Sequence, residues 1–234
     1  MEKYKLICIP YAGGSETCYA PLKKYMDQNM NMYTVELAGR GTRAKHPFYK
    51  DIPAAVEDIL ENIMPYIRND KYVLFGHSMG SILACELVYR LMDLNYPLPV
   101  MTIVSGRNPL GSIDHSQKIH DAPINEFTEE ILKIGGTNQD IFKIEELSSY
   151  FVPILRADYR IVENYNYTER GKKMPCRMTV FYGADDQNTD ENELEQWAEY
   201  TEKSCTLRRF PGGHFFINES AEEVVKAIKE MLEE

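Results

Sequence analysis

No run of apolar residues in this 234-residue chain approaches the roughly 20 that a membrane-spanning helix needs. With strand-like sequence beginning at Tyr4, neither a signal nor a transit peptide is expected, and the expected location is the cytoplasm. Basic residues are in the minority. With 26 Lys and Arg against 36 Asp and Glu, the formal net charge is −10, which argues against general nucleic-acid binding and leaves any acidic partner to be met by a local basic patch. The five cysteines, Cys8, Cys18, Cys85, Cys176 and Cys205, are scattered, odd in number and without a C-x-x-C pair, so reduced packing thiols are expected rather than a disulfide framework. The five histidines show no H-x-x-x-H or H-E-x-x-H spacing, and neither a metal nor a cofactor is expected. Linkers, repeats and low-complexity tracts are missing too, so the 44% hydrophobic chain reads as one α/β domain over residues 1–234.

What is present is organised around Tyr72-Val73-Leu74-Phe75-Gly76-His77-Ser78-Met79-Gly80 and the segment that follows. Tyr72 to Phe75 is the short apolar run of a buried parallel strand, and Ile82, Leu83, Leu87 and Leu91 recur at helical spacing. Between them, Gly-His-Ser-Met-Gly matches G-x-S-x-G in a strand–turn–helix context, the setting of a nucleophile elbow. Ser78 is therefore the candidate nucleophile. Five-residue patterns this loose also arise by chance, so the assignment depends on an acid, a histidine and an oxyanion hole elsewhere in the chain.

The rest of the chain supplies candidates in order. A strand from Tyr4 runs into Tyr11-Ala12-Gly13-Gly14-Ser15, where the loop after an early strand provides one oxyanion-hole amide; Ala12 and Met79, the residue after the serine, are the candidate donors. A second strand is expected over 32–37, followed by Gly39-Arg40-Gly41-Thr42-Arg43, which reads as a solvated loop held by local charge pairs. Asp51 caps a helix that has Pro53 in its first turn. The strand from Val100 has no carboxylate in its exit loop before Asp114, so the acid is sought further on. The strand over 178–182 ends at Gly183-Ala184-Asp185-Asp186, and either aspartate suits an acid or a helix cap. The last strand, 206–210, leads to Pro211-Gly212-Gly213-His214-Phe215-Phe216, which completes the chain order Ser, Asp, His. His77 is a weaker candidate base, since it adjoins Ser78 and its side chain is expected to point away from the hydroxyl. Ser220 to Glu223 reads as a capping box before a closing helix.

Between the fourth and fifth strands, roughly 112–173, the pattern turns helical, as expected of a lid. Phe127, Ile131, Phe142, Phe151, Ile154 and Leu155 either line an apolar acyl pocket or form a small core of the insertion's own.

Taken together, Pro10 to Gly14, Gly39 to Arg43, Gly76 to Gly80, Ser105-Gly106-Arg107, Pro153 to Tyr159, Gly183 to Asp186 and Gly212 to Phe216 resemble, from end to end, the type II thioesterases that accompany non-ribosomal peptide and polyketide synthases, members of the α/β-hydrolase superfamily. The chain departs from that pattern at Ala38, where many relatives have proline, and at Ser81, often glycine. The resemblance implies a mostly parallel sheet flanked by helices with a helical lid. It implies a triad of Ser78, Asp186 and His214, with Ala12 and Met79 as oxyanion donors. Its implied reaction is hydrolysis of acyl thioesters from the phosphopantetheine arm of carrier protein domains, in antibiotic or siderophore biosynthesis. The same family contains medium-chain fatty acyl thioesterases, and a small-molecule carboxylesterase or a non-catalytic synthase scaffold are the rival readings. Oligomeric state is not fixed by the pattern, and a monomer is expected. For carrier docking, the expected mouth comprises the Tyr11–Ser15 loop, the lid and the loop before His214; Arg107, Lys118, Arg156, Arg170, Lys172 and Lys173 are the available cations, with Lys172 and Lys173 as the pair to test.

Overall fold

A computed structural model describes residues 4–68, 70–112 and 118–233. Asp114, at the start of the insertion, lies outside the described residues. The elements in chain order are β1 (Tyr4–Ile9), α1 (Ala20–Lys23), β2 (Met30–Thr34), α2 (Ile52–Ile67), β3 (Lys71–His77), α3 (Met79–Asp93), β4 (Met101–Ser105) and α4 (Ile124–Ile134). They continue with α5 (Asp140–Lys143), α6 (Glu145–Glu163), β5 (Arg177–Gly183), α7 (Glu191–Leu194), β6 (Cys205–Phe210), α8 (Phe216–Glu219) and α9 (Ala221–Glu233).

Six strands form one sheet in the order β2-β1-β3-β4-β5-β6, and every pairing is parallel. Parallel strands need crossover helices, which cover both faces, so the central strands carry mostly apolar residues on both sides. In β1, Ile7 and Ile9 join Leu74, Ile59 and Leu83 in the core beneath α2 and α3. Leu6 and Cys8 join Val73, Phe75, Val224 and Ile228 in the core under α9. The chain steps outward from β1 to β2 and then returns to lay β3 on the other side of β1. In open α/β sheets such a reversal leaves a crevice beyond the carboxyl ends of the two strands. The loop after β1 and the elbow after β3 flank this crevice, and the fold is that of the α/β-hydrolases.

Local signals explain several boundaries. Asp51 accepts the Ala54 amide at 2.8 Å and starts α2 as an N-cap. β2 ends sooner than the sequence suggests. Val35 still donates to the Cys8 carbonyl at 2.9 Å, but Glu36 turns its carboxylate to the Glu16 amide and leaves the ladder. The capping box at Ser220 is also corrected, because the Ser220 hydroxyl donates to the Pro211 carbonyl at 3.2 Å and so fastens α9 to the loop ahead of His214.

Candidate active site

β3 delivers Ser78 into a backbone conformation of φ 53° and ψ −116°, a left-handed region costly for any residue with a Cβ. The surroundings enforce it. A Cβ on Gly80 would stand 2.2 Å from the Ile9 carbonyl oxygen, and one on Gly76 would stand 2.0 Å from that of Gly80, so the turn closes only with glycine at both places. The end of β4 ties the elbow down. The Ser78 amide donates to the Ser105 carbonyl at 2.7 Å, and the Ser105 amide donates to the buried Ser81 hydroxyl at 2.9 Å. The Ser81 hydroxyl in turn shares its single proton between the carbonyls of Gly76 and Ser105, 2.9 and 3.0 Å away. Ser81 is therefore a bolt between β3 and β4. Ser78 itself makes no capping hydrogen bond to α3. The first amides of α3, starting with Met79, have no carbonyl one turn back within the helix and present partial positive charge at the serine.

The other two residues expected from the sequence meet at the ends of β5 and β6. His214 Nδ1 lies 2.9 Å from Asp186 Oδ2. The Asp186 Oδ1 atom accepts the Asn188 amide at 2.9 Å and its side-chain Nδ2 at 3.2 Å. Burial alone would raise the Asp186 carboxyl, but the hydrogen bond and charge of His214, with the Asn188 donors, outweigh it and hold the group below its ordinary value. Asp185 is exposed. Asn188 was not foreseen, although its i, i+2 bond to an aspartate is a local turn pattern that sequence can show.

Ala12, Ser78, Met79 and His214 all line one cavity of about 530 Å³. Its remaining wall includes Arg107, Asn108, Glu130, Lys133, Tyr159 and Glu163, a more polar lining than expected. Among the described residues, none of the six hydrophobic side chains expected as an acyl pocket lines it. Phe127, Ile131 and Leu155 pack together with Phe142 as the insertion's own core, the alternative left open by the sequence. Phe151 and Leu155 line a second cavity of about 200 Å³ on the Ala12–Ser15 loop.

His77 points into the protein, as expected. It is fully buried, its Nδ1 lies 2.9 Å from the Ser105 hydroxyl, and its ring centre is 4.9 Å from that of His214. Burial, and then the neighbouring His214, push its pKa well down, so it is neutral. The cysteines offer no rival nucleophile of this kind. All five are unpaired, and burial raises the thiols of Cys8 and Cys85 far above their ordinary range.

Of the expected docking cations, Arg107 lines the cavity beside Ser78, Lys118 donates to Asn164 Oδ1 at 2.8 Å, and the others lie elsewhere or are engaged within the fold. Lys172 pairs with Asp93, the last residue of α3, and Lys173 is its exposed neighbour. Fifteen residues of helix, at about 1.5 Å each, put that pair roughly 20 Å from Ser78. Arg170 pairs with Glu86, and Arg156 donates to the carbonyls of His120 and Ala122 inside the insertion. The Gly39–Arg43 loop is also corrected. Arg40 is buried rather than solvated, and its partner is Asp158 of α6.

A serine at a strained strand-to-helix turn, sharing a cavity with a histidine held by a buried aspartate, defines a serine hydrolase of the α/β-hydrolase fold. The comparisons narrow the class. The thioesterase domain model matches residues 4–232. Gramicidin S biosynthesis protein GrsT of Aneurinibacillus migulanus is 30% identical over 96% of this chain and 87% of its own length. The medium-chain S-acyl fatty acid synthase thioesterase of Homo sapiens is 30% identical over 94% of this chain and 83% of its own. The crystal structure of ClbQ from the colibactin NRPS/PKS pathway superposes with a TM-score of 0.93 at 33% identity, covering 99% of this chain and 98% of that one. The chain belongs to the thioesterase family and is a thioester hydrolase.

Proposed function

We propose that this enzyme is a type II, editing thioesterase: it clears acyl groups from the phosphopantetheine arms of carrier protein domains in non-ribosomal peptide or polyketide synthesis. The observation that carries this reading is the shared wall of the 530 Å³ cavity, where Ala12, Ser78, Met79 and His214 face one space and His214 is pinned through Nδ1 by Asp186. With Nδ1 occupied, Nε2 is the nitrogen left to take the Ser78 proton as the hydroxyl attacks the thioester carbonyl. The amides of Ala12 and Met79 hold the oxyanion, each such donor supplying about 3–4 kcal/mol of transition-state stabilisation. The arm leaves as a thiol with a reference pKa of about 8.5, so little general-acid help is required. Water activated by His214 then frees the acid, and Asp186 stabilises the imidazolium formed in both halves of the reaction.

The polar wall bears on the rival family member. Arg107, Asn108 and Glu163, with the exposed Glu130–Lys133 pair, share the wall with Pro109, Ile119, Ile134 and Val162, a mixed lining that suits a short or polar acyl group better than a medium-length alkyl chain, whose burial draws its energy from apolar area. The same reading treats residues 1–234 as one domain with the insertion at roughly 112–173 as its lid, acting as a cytoplasmic monomer in which the five unpaired thiols stay reduced. Among the described residues no helix is long and apolar enough to cross a membrane. The test is a mass-spectrometric comparison of release from acetyl-, aminoacyl- and decanoyl-carrier protein and from simple esters. Preference for the short carrier-bound groups supports the proposal; preference for decanoyl-carrier, or for esters, assigns the chain to one of the rivals.

A further inference from the structure

The buried ion pair of Arg40 and Asp158 is not part of the mechanism above, yet it meets the oxyanion loop directly. Both side chains are 3% exposed or less. The guanidinium forks onto the carboxylate, with Nη1 2.7 Å from Oδ2 and Nη2 2.6 Å from Oδ1. Each group has one further bond, and both go to the loop after β1. Arg40 Nη1 donates to the Gly14 carbonyl at 3.0 Å, and Asp158 Oδ2 accepts the Gly13 amide at 2.8 Å. Gly13 follows Ala12, so the peptide next to the candidate oxyanion donor is held by a side chain of α6, in the insertion. A second contact lies one turn earlier on that helix. A Cβ on Gly13 would stand 2.5 Å from Leu155 Cδ2, which shows how closely α6 rests on the loop. Burial opposes the charge of Arg40, but Asp158 more than compensates and the guanidinium stays ionised. Buried pairs of this kind are weak sources of stability, because desolvation consumes most of their attraction; their best-attested use is to fix one arrangement.

We propose that Arg40 and Asp158 are positioning residues for the oxyanion hole: they clamp the Ala12–Gly14 loop to helix α6, so the loop has its working geometry only while α6 is seated on it. This rests on the reading of Ala12 as an oxyanion donor. The insertion is then more than a cover, since its displacement removes the acceptor of the Gly13 amide and frees the loop. Gly13 and Asp158 lie 145 residues apart, so no local pattern reveals the link.

The experiment measures the rate constant for labelling of Ser78 by a fluorophosphonate, whose phosphoryl oxygen occupies the oxyanion hole as the Ser78 Oγ–P bond forms and fluoride leaves. Removing one partner strands a buried charge, so both are changed together. Arg40→Met with Asp158→Leu deletes the clamp, and Arg40→Met with Asp158→Asn restores an acceptor for the Gly13 amide. The first is expected to label at least about tenfold more slowly, a fraction of the loss seen when an oxyanion donor is deleted outright, and the second to recover threefold or more of that loss. A merely structural role lowers the labelled amplitude through loss of folded protein and leaves the rate constant alone. Wild-type rate constants in both variants overturn the clamp. Hydrogen exchange in the unaltered protein tests it without mutation: the Gly13 amide and residues 155–163 are expected to open together, and fast exchange at Gly13 beside a protected α6 also overturns it. An unlabelled wild-type protein would count against the nucleophile, a different failure that leaves the exchange test standing.

Discussion

Asp186 divides its carboxylate between two jobs, giving Oδ2 to His214 Nδ1 at 2.9 Å and Oδ1 to the Asn188 amide at 2.9 Å, while the adjacent Asp185 is exposed. Two neighbouring aspartates thus provide an internal control. Asp186→Asn is expected to lower kcat by about 10³–10⁴, because an amide in that place favours the wrong imidazole tautomer. Asp185→Asn is expected to leave kcat largely intact. Steady-state kinetics of both variants on one acyl thioester decide it; equal losses would contradict the assignment.

The same carboxylate predicts a pH dependence of stability. Its folded pKa lies below the unfolded value of about 3.9, so its contribution is fully present above that value and is lost as pH falls through the lower folded one. The stability gap between wild type and Asp186→Asn should therefore be present at pH 5 and shrink as pH falls below about 4. Urea unfolding across pH 3–7 measures it, and a gap that widens in acid would contradict the sign.

Gly106, just after β4, lets the rings of His77 and His214 pack directly against the backbone. It sits at φ 59°, and a Cβ there would stand 2.6 Å from His77 Cε1 and 3.3 Å from His214 Cε1. Gly106→Ala should cost about 1–3 kcal/mol of stability through strain alone and lower kcat by displacing His214. Thermal melts with kinetics on the folded variant check both, and a stable, fully active variant would contradict the packing.

Charge reversal at Lys172 and Lys173 should leave KM for acyl-carrier substrates unchanged, since Lys172 is engaged with Asp93 at the far end of α3. Exposed pairs of this kind are worth about 0–1 kcal/mol, so stability should barely move. A raised KM for the carrier-bound substrate, with no change for a free acyl thioester, would place docking there after all.

The elbow was legible because its chemistry is local: strand, glycines, serine and helix lie within twenty residues, and backbone contacts at Gly76 and Gly80 enforce the turn. Asp186 and His214 were legible as loop residues after late strands. The cavity wall was not. Periodicity marks helix α4 as amphipathic, but it does not say which face meets the site. Phe127 and Ile131 turn to the insertion's own core, while Glu130, Lys133 and Ile134 of the same helix line the cavity. Arg40 was misread for a related reason. Its glycine-flanked setting resembles a solvated loop, and the partner that buries it is 118 residues away.

The proposed mechanism requires Ser78 to carry the acyl group between carrier and water. Rapid mixing with an acyl-carrier protein, acid quenching within milliseconds and mass spectrometry of the Ser78 peptide test it most directly. A transient Ser78 peptide heavier by the acyl group is expected, absent from Ser78→Ala, whose turnover falls by several orders of magnitude while its fold is kept. Acyl release at the wild-type rate by a folded Ser78→Ala protein, or acylation at a cysteine instead, would contradict it.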